Sequence, residues 1–337
     1  MNRRAETLDS MTAAFARLGE RGRRLAHTLA SPAAASGVGL HSGTLANVRL
    51  HPATAAEGIH FVRTDLPGAP AIPATPTSVV NTRLSTTLGA GDATVATIEH
   101  LMAALCGMGV RACRVEVDAA ELPLLDGSAE PWARAIAEAG VVRLSSKPPA
   151  AAAAALATPV RVEDGLSWAV AIPAHEPRLT VGIDFADHAP IGRQWASWSP
   201  ADLPAISLRS PASAADEAEH ARRSTTPLSP LSPDSRECAA REVSARSFAA
   251  AVAPARTFAL QRQIASMREA GLIRGGSLDN ALVCDATRWL NGPLRFDNEP
   301  ARHKLLDLLG DLALLGGLPC AHVVAFRAGH ALHVRLG

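Results

Sequence analysis

Apolar and polar positions along the 337 residues follow two periods, and each change of period marks a change of element. Residues 45–50 (Leu-Ala-Asn-Val-Arg-Leu) and 113–118 (Cys-Arg-Val-Glu-Val-Asp) alternate in steps of two, as a strand with one buried face does. Residues 98–105 read as a short helix ending at Gly107, and residues 130–139 as a second. A glycine-rich stretch, Ser-Gly-Val-Gly-Leu-His-Ser-Gly, occupies residues 36–43. It lacks the lysine and the residue order of a phosphate-cradling Walker loop, so a turn between strands is the simpler reading. Residues 122–127 form a further turn.

Residues 145–159 (SSKPPAAAAAALATP) are low-complexity and read as a linker. Strand patterns then restart at 160–162, 168–172 and 179–185. From about 198 to 242 the chain is rich in Ser, Pro, Ala and charge and shows no apolar period, which predicts a disordered or loosely held insertion. Order returns at 255–260, with a helix running through Ala270, a Gly-Gly turn and a strand at 275–285. A helix over 302–311 follows, then a strand at 321–326 that runs into Gly329-His330. Strands plus two helices thus occur twice. The expected fold is α+β: two similar domains, 25–145 and 160–337, each a small sheet layered against two helices. Together they form a two-layer sandwich with the active site between domains. Residues 1–24 read as a helical extension outside this fold, and residues 146–159 as the linker.

Composition narrows the class. With 47 % hydrophobic and 19 % charged residues the chain can bury a sizeable core. A net charge of +1 gives no reason to expect nucleic acid or an anionic membrane as the main partner. No apolar run reaches the roughly 18 residues of a membrane span, and residues 1–24 lack the apolar centre of a secretory signal. Five cysteines (Cys106, Cys113, Cys238, Cys284, Cys320), without paired spacing, read as reduced thiols in a cytoplasm. A monomer is expected.

The chemistry concentrates at residues 302–311, Arg-His-Lys-Leu-Leu-Asp-Leu-Leu-Gly-Asp. On a helix, His303, Asp307 and Asp311 lie one above the next on one face. An imidazole and a carboxylate one turn apart can grip one metal ion, although the pair alone also fits a solvated polar stripe. Asn298 can cap this helix, Pro300 falls in its first turn, and Gly316-Gly317 stops it. Glu99-His100 is a second candidate: His100 would be a third ligand, leaving one position open for water, and Glu99 could take that water's proton. Alone, the pair also suits an ordinary helix terminus. The zinc-protease sequences His-Glu-x-x-His and His-x-x-Glu-His are missing. His330 follows a strand through Gly329, where the chain can turn; as imidazolium it could protonate a leaving amine, with Asp311 orienting it.

Together these segments resemble the zinc-dependent UDP-3-O-acyl-N-acetylglucosamine deacetylase family of lipid A synthesis in Gram-negative bacteria. The matching stretches are SGVGLHSG (36–43), TRLSTTLG (82–89), TIEHLMAAL (97–105), PLLDGSAEP (123–131), RVEDG (161–165), ARTF (255–258), GLIRGGSLDNALV (271–283), LRFDNEPARHKLLDLLGDLALLG (294–316) and FRAGHAL (326–332). They cover nearly all of 28–336 outside the insertion. The resemblance implies that His100, His303 and Asp307 bind one Zn2+, with Fe2+ as an alternative metal. It implies Glu99 as general base, His330 as general acid tuned by Asp311, and Thr257 as hydroxyl donor to the oxyanion. For substrate it implies Phe258 alongside, Lys304 on a phosphate and Arg327 as a second basic residue. Ile264, Ala281 and Val283 match an apolar passage for the acyl chain. The implied partners are UDP-3-O-acyl-N-acetylglucosamine and water.

The chain departs from the family in several places. The family's Thr-Phe-Gly is Thr257-Phe258-Ala259, and its Gly-His-Ala-Leu-Asn is Gly329-His330-Ala331-Leu332-His333. The insertion and residues 1–24 are additional, and the family usually continues through a helix where residue 337 is reached. Two other readings remain open: a member that binds a nucleotide-sugar or a regulatory partner without turnover, and a protein with a closed structural metal site.

Overall fold

A computed structural model describes residues 26–145, 156–202 and 233–337. The expected N-terminal extension, residues 146–155 of the expected linker and residues 203–232 of the expected insertion lie outside the described residues.

The first half runs β1 (His27–Leu29), β2 (Ala33–Val38), β3 (Leu45–Pro52), β4 (Ile59–Arg63), β5 (Ala71–Pro73), β6 (Val79–Asn81), β7 (Thr87–Ala90) and β8 (Ala93–Val95). It continues through α1 (Glu99–Gly107), β9 (Cys113–Val117), α2 (Glu130–Ala139) and β10 (Val141–Arg143). The second half runs β11 (Val160–Asp164), β12 (Ser167–Pro173), β13 (Arg178–Phe185), β14 (Gly192–Trp198) and α3 (Pro233–Ala251). Then come β15 (Phe258–Leu260), α4 (Gln261–Glu269), β16 (Leu282–Cys284), α5 (Glu299–Ala313), β17 (Ala321–Phe326) and α6 (His330–Leu336).

Two five-stranded sheets share one topology. The first is ordered β2-β3-β9-β4-β5 and the second β11-β12-β17-β13-β14. In each, the last strand in sequence is inserted at the centre, antiparallel to one neighbour and parallel to the other. In each, one helix precedes that central strand and another follows it: α1 and α2 around β9, α5 and α6 around β17. The alternation seen in the sequence holds along β3, where Ala46, Val48 and Leu50 are buried while Asn47 and Arg49 are exposed. Both segments that lie between the fourth strand and its following helix are elaborated. The first half adds the small sheet β6-β7-β8; the second adds α3 and the parallel pair β15-β16 joined through α4.

The halves meet through α1 and α5. All nine residues of α1 are buried, as are thirteen of the fifteen in α5, so both are core helices rather than amphipathic surface ones. At Gly310 the two backbones come into close contact. A Cβ built there would lie 2.1 Å from the Glu99 carbonyl oxygen, a position that backbone geometry alone reserves for glycine.

Several expectations need correction. Residues 36–38 belong to β2, so the glycine-rich turn is confined to residues beyond it. The strand expected over 275–285 shortens to β16, because Asn280 and Asn291 side chains bond the backbone of the preceding stretch into turns. The expected insertion ends early: α3 starts at Pro233. Among its described side chains Ser244, Ser247 and Phe248 are buried, with Val252 buried just past its end, and the two serines hide the apolar period. Phe248 nonetheless lies against Gly107 of α1, and Ser247 accepts a hydrogen bond from the Trp198 indole. Asn298 does precede α5, but its side chain does not cap it; it accepts from Arg302 and donates to the Trp195 carbonyl.

Replacing Gly310 with alanine is expected to destabilise the protein by about 1–3 kcal/mol or more, since the clash is with backbone that cannot rotate away. Thermal denaturation checks this; an unchanged melting temperature would show that the two helices can part at no cost.

Candidate active site

α5 brings His303 and Asp307 onto one face, a turn apart, as the sequence spacing predicts. The α1–α5 contact brings His100 to them from the other half. His100 Nε2 lies 3.8 Å from Asp307 Oδ1, and His303 Nε2 lies 3.5 Å from the same oxygen. The imidazoles of His100 and His303 meet edge to face with centroids 5.0 Å apart. The three donor atoms all fall within 4.8 Å of one another. A tetrahedral site with bonds of about 2.1 Å has donor–donor edges of about 3.4 Å, so the spacing suits one cation.

The surroundings prepare these donors for a metal. His303 Nδ1 donates to the Ala255 carbonyl at 3.0 Å, which leaves the Nε2 lone pair aimed at the cluster. Burial, helped by the neighbouring His303, pushes His100 down to about 3, so it is neutral and able to ligate. Lys304 bonds Asp307 Oδ2 at 2.8 Å, leaving Oδ1 toward the imidazoles. Burial opposes the Asp307 charge, but Lys304 and the surrounding imidazoles outweigh it and hold the carboxyl well below its usual range. His100 Nδ1 is buried without a hydrogen-bond partner. The residues therefore fit a metal ion.

Beside this triad lies a second buried cluster. Asp311 Oδ2 accepts from His330 Nδ1 and from His333 Nδ1, each at 2.8 Å. Its other oxygen accepts from the Thr86 hydroxyl at 2.6 Å, and the Thr86 amide donates to Glu99 Oε2 at 3.1 Å. Burial pushes the Glu99 carboxyl up to about 7. Burial would lower His330, but the Asp311 carboxylate prevails and raises it to about 9. Asp311 itself falls to about 2, because the two histidines overcome its burial.

The remaining candidates are less central. Thr257 lies between Ala255, which bonds His303, and Phe258, whose ring faces the Lys304 ammonium at 5.8 Å, so it is held alongside α5. That segment is locked by the fully buried Glu299, which accepts from Arg256 and from the Arg295 amide. Ile264 on α4, Ala281, and Val283 on β16 belong to the β15–α4–β16 unit; Val283 is buried, while the other two are half-buried. Arg327 is exposed, and its charge acts on Asp184 of β13.

Sequence reasoning placed the turn before His330 at Gly329, but Gly329 is extended, and Arg327 (φ 52°) makes the left-handed turn. Two further non-glycine residues with positive φ stand at the cluster: Leu84 (67°), two residues before Thr86, and Thr97 (59°), two before Glu99. Strained backbone of this kind gathers at functional sites.

A family model described as UDP-3-O-acyl N-acetylglycosamine deacetylase matches residues 26–205 and 230–337. The chain belongs to this family of deacetylases. A UDP-3-O-acyl-N-acetylglucosamine deacetylase of Trichormus variabilis is 46 % identical over 310 residues, 92 % of this chain and 96 % of that protein. One from Thermosynechococcus vestitus is 45 % identical over 309 residues, covering 92 % and 91 %. A protein of Arabidopsis thaliana named probable UDP-3-O-acyl-N-acetylglucosamine deacetylase 1, mitochondrial, is 37 % identical over 330 residues, covering 93 % and 87 %. Among the described residues no helix is long and apolar enough to cross a membrane.

In this deacetylase, four residues at the site escaped the sequence reading: Thr86, Ala255, Gly310 and His333. Thr86 sits in the matched stretch TRLSTTLG, and His333 was visible as a departure, but neither carries a spacing signal of its own.

The raised value for His330 sets a pH signature for the metal-free protein. Its folded-state value lies above the ordinary 6.5, so its contribution to stability is complete below about 6.5 and is lost as pH rises through about 9. The stability difference between wild type and His330→Gln, measured by denaturant unfolding, should therefore shrink across that window. A difference that grew with pH would show that Asp311 does not hold the imidazolium.

Proposed function

We propose that the chain hydrolyses the N-acetyl group of UDP-3-O-acyl-N-acetylglucosamine, releasing acetate, in lipid A biosynthesis. His100, His303 and Asp307 hold the metal, zinc or alternatively ferrous iron. The observation that carries the reading is the convergence of these three buried donors from two halves of the chain, beside a buried carboxylate and a buried carboxylate-paired imidazole. Family membership supports the same substrate, since the matched relatives bear its name.

Zinc bound there would acidify water and polarise an amide carbonyl. Glu99, with its carboxyl near neutrality, accepts a proton from the attacking water. Thr257 donates its hydroxyl to the oxygen that gains negative charge as the carbonyl is attacked. His330 hands the proton on its ring to the leaving amine as the C–N bond breaks, and Asp311 holds the ring in place through Nδ1. Glu99 and His330 are thus a base and an acid whose environments fit each to its task. Phe258 lies against the substrate, while Lys304 and Arg327 supply positive charge for its phosphates. Ile264, Ala281 and Val283 line the path of the acyl chain. The free thiols of Cys113, Cys284 and Cys320 suit a reducing compartment such as the cytoplasm.

Acetate release from the UDP-sugar, paired with metal analysis, tests the reading. Asp307→Ala should lose the metal, and retention at wild-type affinity would remove Asp307 from the ligand set. His330→Ala should keep the metal while turnover falls by about 10²–10⁴-fold, the usual scale for a lost general acid. If wild type bound one metal and released no acetate, the hydrolytic assignment would fall.

A further inference from the structure

The Asp311 carboxylate serves three donors, of which the reaction described above uses one. Thr86 takes Oδ1 at 2.6 Å; His330 and His333 share Oδ2 at 2.8 Å each. All four side chains are buried: Asp311 3 %, Thr86 0 %, His330 7 % and His333 1 % exposed. A carboxylate only accepts, so His333 and Thr86 must both donate to it. Each donated hydrogen bond draws charge from the carboxylate, and what they draw is withheld from His330.

From this geometry we infer that Thr86 and His333 are positioning residues that set the acid strength of His330 by dividing the charge of Asp311. Neither side chain hydrogen-bonds His100, His303 or Asp307; both donate to Asp311. A carboxylate left to His330 alone would hold the imidazolium proton more tightly and make it a poorer donor to a leaving amine. Thr86 has a second part, since its amide bonds the Glu99 carboxylate. One residue of the first half thus touches both the base and the support of the acid.

Other charges face His330 as well. Asp307, Asp311 and His303 come from α5, Glu99 and His100 from α1, and His333 from its own helix. On β11 and β12, on which α6 also packs, the charged Arg161, Glu163 and Asp164 are exposed, Val162 is half-buried, and Ala169 and Ala171 are buried. Besides His330, Thr86 and His333 are the side chains among the described residues that donate to Asp311.

The inference rests on His330 being the acid, and paired measurements separate the two ideas. Zinc-loaded protein carrying 13C-labelled histidine is titrated by NMR, with the His330 signal assigned by its loss in His330→Gln. In parallel, kcat/KM for acetate release is followed against pH. Thr86→Val keeps the amide and the shape but loses the hydroxyl; His333→Leu loses the ring donor. Each should move the His330 titration up by about half to one pH unit, a factor of about 3–10 in proton affinity. The alkaline limb of the rate profile should move with it. Thr86→Ser and His333→Asn restore a donor, the asparagine amide nitrogen standing as far from Cβ as His Nδ1 does, and both should return the titration toward wild type. An unmoved or lowered titration in Thr86→Val and His333→Leu overturns the inference, as does a failure of His333→Asn to restore it. A titration that moves while the rate limb stays fixed overturns the role of His330 as acid and leaves the charge division standing.

Discussion

The site depends on how closely two helices can cross. Gly310 lets α5 lie directly on the backbone of Glu99 at the start of α1. Through that contact the His100 imidazole reaches the turn that carries His303 and Asp307, and Asp311 comes within reach of the Thr86 hydroxyl. A single methyl group at position 310 would push apart side chains whose donors must agree to a few tenths of an ångström. The most demanding geometry in the molecule therefore rests on its smallest side chain.

Around that crossing, polar groups that would be costly to bury are made to satisfy one another. Asp307 is shared by Lys304 and two imidazoles, and Asp311 by a threonine and two histidines. Glu299, fully buried, fixes the segment that supplies the Ala255 carbonyl to His303. Unpaired, each of these carboxylates would be strongly destabilising; paired, each fixes the position of a functional side chain. The two clusters are adjacent and their charges act on each other, while their hydrogen bonds centre on different carboxylates, Asp307 and Asp311.

The duplication of the sheet explains why the site forms where it does. Each half inserts the last strand of its five-stranded sheet at the centre and flanks it with helices, and the helix before that strand in each half faces its counterpart. The outer faces of the sheets have diverged. The first carries Asn47, Arg49, Arg114 and Glu116. On the second, Trp195 stacks on Phe326 over Gly182, where any Cβ would meet both rings.

Much of this was legible in the sequence. Local periodicity determined α1, α2, α5 and the long strands, because a buried face imposes its spacing on nearby residues. The His-x-x-x-Asp spacing determined that His303 and Asp307 share a helix face. Local pattern could not reveal α3, whose packing stripe contains two serines, nor that Arg327 rather than Gly329 makes the left-handed turn. It could not place His100 beside His303, since the 202 intervening positions carry no distance information. Nor could it show that Thr86 and His333 converge on Asp311. Those pairings exist only once the two helices are packed, because a hydrogen bond between distant residues leaves no period in the chain that forms it.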